Sequence, residues 1–187
     1  MKTLPTLFAL LVVATAARAA PAPAWTVDKA ASTVRFSSSM NAQAFSGAFR
    51  RWDAAIAFDP KNLAGSSVTA SIDTASAVTG DPDRDQALPT AAFLAAAKFP
   101  KATFTAHAFK DLGAGRYLAI GQLTLRGVSK PLTLPFAVAI TGARARMKAS
   151  HALNRLAFGV GQDEWKATTA LPATVTVTIA IAARRAP

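Results

Sequence analysis

The chain has 187 residues, enough for one domain with a sizeable core, and its 51% hydrophobic and 17% charged content marks a globular protein rather than a disordered one. Cysteine is absent, which excludes disulfides, thiol catalysis, thiolate metal sites and an N-terminal lipoprotein anchor. The formal charge of +11 points to anionic lipid headgroups, cell-wall polymers or acidic partners, or equally to solubility alone.

The first residues read as an export signal. Lys2 precedes an apolar run from Leu4 to Ala17, and Ala17-Arg18-Ala19 supplies the small-x-small pattern of a cleavage site. The run is shorter than the roughly 20 residues of a membrane-spanning helix. Met1 to about Ala19 is therefore expected to be removed, placing the protein in the periplasm, and residues 20–187 are expected to form a single domain. Removal takes Lys2 and Arg18 and no acid, lowering the formal charge from +11 to +9. Nucleic acid is a poor candidate partner outside the cytoplasm.

Pro21 and Pro23 make a short extended leader. Strand patterns follow at Trp25 to Asp28, Ser32 to Phe36 and Phe45 to Phe49, then at Ala54 to Phe58, where Asp59-Pro60-Lys61-Asn62 turns the chain. Gly47 inside such a pattern predicts a bulge or sharp bend. In Ser66 to Asp73, Val68, Ala70 and Ile72 alternate with Ser67, Thr69 and Ser71. Asp81-Pro82 is a helix cap followed by proline at the first helical position, so residues 81–98 are expected to hold one or two short helical turns, broken by Pro89. Lys101 to Phe109 puts Ala102, Phe104, Ala106 and Ala108 on one predicted face.

The hairpin Gly121 to Leu134 anchors the second half. Leu123 and Leu125 alternate with Gln122 and Thr124, Leu132 and Leu134 flank Thr133, and the turn is expected within Arg126 to Pro131, with Arg126 and Lys130 near its tip. Leu132, Leu134, Phe136, Val138 and Ile140 share one face of the returning strand. Ala143 to Ser150 carries Arg144, Arg146 and Lys148 on one face and Ala143, Ala145, Met147 and Ala149 on the other, and Val175, Val177, Ile179 and Ile181 alternate with threonines near the C-terminus. At least eight regularly spaced strands make the chain all-β, a sandwich or an up-and-down barrel.

Residues that could carry chemistry are sparse. His107 and His151 lie far apart with no metal-ligand spacing, and both read as surface imidazoles. No G-x-S-x-G elbow is present, and the D-P-D-R-D run at Asp81, Asp83 and Asp85 lacks the glycine and distal glutamate of a calcium loop, so it reads as helix capping with an Arg84 ion pair. No catalytic group stands out, so the chain is expected not to be an enzyme. The Arg144, Arg146 and Lys148 strip reads as a solvated face or as a contact for phosphate headgroups. Many alanines on strand faces, interspersed with phenylalanines, leave room in a barrel for an apolar ligand.

L-T-L-R-G-V-S-K-P-L at Leu123 to Leu132 resembles the YceI-like family of periplasmic polyisoprenoid-binding proteins. The resemblance extends over nearly all of the mature chain through Trp25-Thr26-Val27-Asp28, Gly47-Ala48-Phe49, Ile72-Asp73-Thr74 with Ser76, Arg84-Asp85, Phe99-Pro100 and Asn154-Arg155 with Phe158-Gly159. It implies an eight-stranded antiparallel, lipocalin-like barrel enclosing a polyisoprenoid, an isoprenoid quinone or a fatty-acid-like lipid, held non-covalently and with no other cofactor. The candidate ligand-binding residues are then Phe36, Met40, Phe45, Phe49, Phe104, Leu123, Phe136 and Met147. Ala31 and Met40 occupy places where the family often carries histidine, and Ala157 one where it carries an acid, which implies a more apolar mouth. The competing expectation is a ligand-free interaction module whose basic face docks on an anionic membrane surface or a partner; a homodimer is left open by the family and decided by no feature of the sequence.

Overall fold

The computed structural model describes residues 20–186; the expected export segment, Met1 to about Ala19, lies outside them. Ten strands form one antiparallel sheet: β1 (Ala24–Met40), β2 (Gln43–Phe49), β3 (Trp52–Ala57), β4 (Ser67–Asp73), β5 (Ala77–Val78), β6 (Lys101–Gly113), β7 (Arg116–Leu125), β8 (Val128–Thr141), β9 (Arg144–Asn154) and β10 (Thr174–Arg185). Eight of them close a barrel in the order β1, β3, β4, β6, β7, β8, β9, β10 and back to β1. One short helix, α1 (Pro82–Ala87), starts at Asp81, whose side chain accepts from the Arg84 amide at 3.0 Å and pairs with the Arg84 guanidinium at 3.1 Å.

The long first strand does two jobs. Its beginning pairs with β3 at Trp25↔Ile56, an irregularity follows between Asp28 and Thr33, and its second half pairs with β2 instead. The two segments read separately in the sequence are thus one strand that forks the wall, with β2 and β5 as a flap outside the closed ring. Lys29 spans the fork, bonding Asp53 at 2.7 Å and the Trp52 carbonyl, and its hydrogen bond and charge hold the Asp53 carboxyl below the usual range.

Each end of the barrel is built differently. At the hairpin end lie the β3–β4, β6–β7 and β8–β9 connections, with the leader packed beneath: the Ala22 amide donates to the Gly65 carbonyl at 2.9 Å and Asn62 to the Ala20 carbonyl at 2.7 Å. Here Phe58 is buried among aromatic rings, 5.2 Å from Tyr117, 5.6 Å from Phe136 and 5.7 Å from Phe109, while the Trp25 indole donates to the Phe58 carbonyl at 2.9 Å. At the opposite, capped end sit the β1–β2 hairpin, residues 79–100, the β7–β8 tip and residues 155–173. Thr74, fully buried, ties the end of β4 to this cap by donating to the Phe99 carbonyl at 2.8 Å, and Ser76 donates to the Asp73 carbonyl at 2.6 Å.

The structure corrects three local readings. The β7–β8 turn is only Arg126-Gly127, both at positive φ (51° and 74°), so Leu125 faces Val128 and Pro131 lies inside the strand. His107 is an extra residue in β6, where the register slips between Ala106 and Ala108; the bulge turns Ala108 out and brings Phe109 in. Gly47 is not bulged but pairs regularly with Phe36, whose ring occupies the space a side chain would need, 2.3 Å from an added Cβ. Opposite the His107 bulge, a Cβ on Gly121 would stand 2.0 Å from the Thr105 carbonyl oxygen. Gly121→Val should therefore destabilise by about 1–3 kcal/mol, read as a lower urea midpoint with unchanged slope.

β8 and β9 are laddered only from Thr141↔Arg144 to Phe136↔Ala149; beyond that pair Val128–Pro135 and Ser150–Asn154 have no partner in each other. The cause lies in β8. The pair flanking a two-residue turn exchanges both hydrogen bonds, so every second residue from Val128 bonds β7, and the alternate ones, including Pro131 and Pro135, turn towards β9. Proline has no N–H to give there. The wall is left with a lateral seam running to the capped end.

Candidate functional site

Inward-facing side chains of the barrel enclose a cavity of about 320 Å³ between the aromatic plug and the cap. Phe36, Phe45, Phe49, Phe104, Leu123, Phe136 and Met147 all line it; Met40 sits half-buried at the β1–β2 hairpin and is not among the lining residues. Ala31 is exposed at the β1 irregularity, so its identity does not bear on the cavity wall. Val68, Ala70, Leu132, Leu134, Val175, Val177 and Ile179 are among the other apolar residues of the wall. The alternation legible in β4, β8 and β10 places each of these, since one face of a strand in a closed barrel has nowhere to go but inward.

The cap is held by cations bonded to backbone rather than to acids. Arg155 is 2% exposed, and its guanidinium donates to the carbonyls of Pro172 (2.9 Å), Val160 (2.9 Å), Leu171 (2.8 Å) and Ala167 (3.4 Å). Burial shifts its pKa down, yet the carbonyl cage replaces the lost water. Arg126, at the β7–β8 tip, donates to the carbonyls of Gly159 and Ala91 and so clasps the two cap segments together. Phe93 and Trp165 pack across the same junction with ring centroids 5.5 Å apart, and Leu88 and Leu94 close over Phe36. The resemblance brought Arg155 forward only as part of a motif; its role as the organiser of residues 156–173 appears from the structure.

Among the acids, Asp85 accepts from the Thr79 hydroxyl (2.7 Å) and amide (2.6 Å), bonds that hold its pKa down, and Arg51 pairs with Asp73 at 3.0 Å. The D-P-D-R-D run thus works in capping the helix and bracing the turn before it. Arg144, Arg146 and Lys148 are exposed on the outer face of β9, Arg184 stands opposite Arg144 on β10, and none of the four pairs with an acid among the described residues.

His151 is the side chain the sequence reading misplaced. It lies on the inner face of β9 with Met147 and Ala149, is half-buried and borders the cavity. The signal was available: two more steps along the alternation that put Met147 and Ala149 opposite the cations reach His151.

The model for the YceI-like domain matches residues 25–183. A solved structure of Burkholderia cenocepacia BcnA is similar over 84% of this chain and 99% of its own, with 31% identity and a TM-score of 0.81. The Saccharophagus degradans structure described as a polyisoprenoid binding domain shares the fold at a TM-score of 0.67 and 17% identity, over 88% of this chain and 99% of its own. A UPF0312 protein of Yersinia pestis is 46% identical over 88 residues, 47% of this chain; the matched stretch covers 45% of that relative, just under half its length. With the barrel, the cavity and a family match running from the first strand to the last, the chain belongs to the YceI-like domain family.

Proposed function

We propose that this protein is a periplasmic binding protein whose barrel holds the apolar chain of one amphiphile, a polyisoprenoid, an isoprenoid quinone or a fatty-acid-like lipid. The enclosed cavity carries the reading: about 320 Å³ of space walled almost wholly by hydrocarbon and aromatic side chains. Cavities of this size and character suit small apolar ligands, and each methylene moved from water into one contributes roughly 0.8 kcal/mol. Three of the polar side chains around it are committed to the frame, Arg155 to its carbonyl cage, Asp53 to Lys29 and Ser38 to the Thr174 carbonyl. This supports binding rather than turnover.

One observation favours a second reading, docking on an anionic surface: the unpaired row Arg144, Arg146, Lys148 and Arg184. It is compatible with the first, as a transient contact with membrane headgroups. Native mass spectrometry of protein purified from its own periplasm, followed by organic extraction, separates them. A stoichiometric adduct of isoprenoid or acyl mass is the expected result. A clean apo mass, unchanged by incubation with prenyl lipids, would overturn the carrier reading and leave the basic face as the working surface.

A further inference from the structure

The β8–β9 seam has a gradient of exposure. On the inner face of β8, Leu134 is buried, Leu132 half-buried and Lys130 exposed, in order from the last ladder pair towards the capped end. On β9, Ala149 is buried while His151 and Leu153 are half-buried. The inner surface therefore becomes accessible along the seam, and His151 is the first inward residue past its apex. Its neighbours around the wall are hydrocarbon: it pairs with Val177 of β10, which pairs with Phe36 of β1.

No described residue hydrogen-bonds the His151 ring, whereas Ser38 and Arg155, which also border the cavity, are bonded to backbone carbonyls. Ser67 borders the cavity but is out of phase with the inward Val68, Ala70 and Ile72. A neutral imidazole offers one donor and one acceptor. Set in an apolar wall without a partner, it is complementary to a single oxygen-bearing group on a ligand whose remainder is hydrocarbon.

The geometry points to His151 as the residue that holds the ligand's polar head, a hydroxyl or carboxyl group, at the apex of the β8–β9 seam, with Lys130 at the open rim favouring the carboxylate. The chain of the ligand then runs inward past Phe104 and Leu123 towards the aromatic plug. This deepens the carrier reading and rests on it.

Phytanic acid, phytol and phytane share one branched hydrocarbon skeleton and differ only in the head, so they separate head recognition from chain burial. Displacement of N-phenyl-1-naphthylamine from the cavity gives their relative affinities. The wild type is expected to rank acid above alcohol above hydrocarbon. His151→Phe should weaken the acid and the alcohol about tenfold, the worth of one hydrogen bond to a buried group, and leave phytane unchanged. Lys130→Gln should weaken the acid alone. Equal wild-type affinity for phytol and phytane, or a His151→Phe variant that loses all three alike or none, would overturn the assignment while the carrier reading stands. Failure of the wild type to bind any of the three would sink both.

Discussion

Arg155→Ala is expected to lose about 3–5 kcal/mol of stability, a large share of the roughly 5–15 kcal/mol that holds a domain of this kind together. The side chain is the sole donor found for four carbonyls, at Val160, Ala167, Leu171 and Pro172, and each of those left buried without a partner costs about 1–3 kcal/mol, less wherever the cap relaxes to admit water. Lysine should rescue little, because one ammonium cannot reproduce the planar fork that reaches carbonyls on opposite sides. Gly161→Ala should reproduce part of the loss by a different route, since a Cβ there would lie 2.0 Å from an Arg155 guanidinium nitrogen. Urea midpoints measure the size of the effect. Amide exchange locates it: protection should fall across residues 156–173 and persist in β6 and β7, and a uniform fall would contradict the assigned role.

Phe104→Asp should abolish loading of the cavity. Phe104 is 8% exposed in the middle of the barrel, packed with Ala106, Ala119, Leu134 and Ala149. A carboxyl group at this depth must either stay protonated or draw water into a space an apolar chain would fill, and both outcomes remove the gain from burying the chain. Phe104→Leu keeps the hydrocarbon wall and should keep the ligand. The readout is lipid extracted per mole of protein, with circular dichroism confirming the strands; full lipid content in a folded Phe104→Asp variant would show that the chain lies elsewhere.

The strands were legible because alternation in β4, β8 and β10 is nearly unbroken, and a strand has only two faces; that pattern left a sandwich or a barrel, and the resemblance to the YceI-like family chose the barrel. Legibility failed where the count of residues changes. A bulge at His107 adds one residue, and one residue is enough to reverse which of Ala108 and Phe109 looks inward. The fork in β1 was hidden for a related reason: nothing in Trp25 to Phe36 announces that partners are exchanged midway, because pairing is a property of two strands and the pattern belongs to one. Gly47 was recognised as special but for the wrong cause, since the Phe36 ring that requires it is eleven positions away. In the site, the large apolar residues Phe36, Phe104, Leu123, Phe136 and Met147 were placed by size and phase within the barrel that the resemblance implied. Met40 was not, because it follows the same phase beyond the point where the wall ends, and His151 was missed because a polar side chain was assumed to face water.

The two prolines of β8 also bear on solubility. A strand with free N–H and C=O groups along one side is a template for another chain, and both borders of the seam, Val128–Pro135 and Ser150–Asn154, would otherwise be such templates. Pro131 and Pro135 remove two of the donors on one border, leaving those of Ser129 and Thr133, so the facing strand and a strand from another molecule alike find an interrupted row to pair with. The prolines that leave the seam unladdered thereby also make this border a poorer template for another chain, at the cost of two hydrogen bonds.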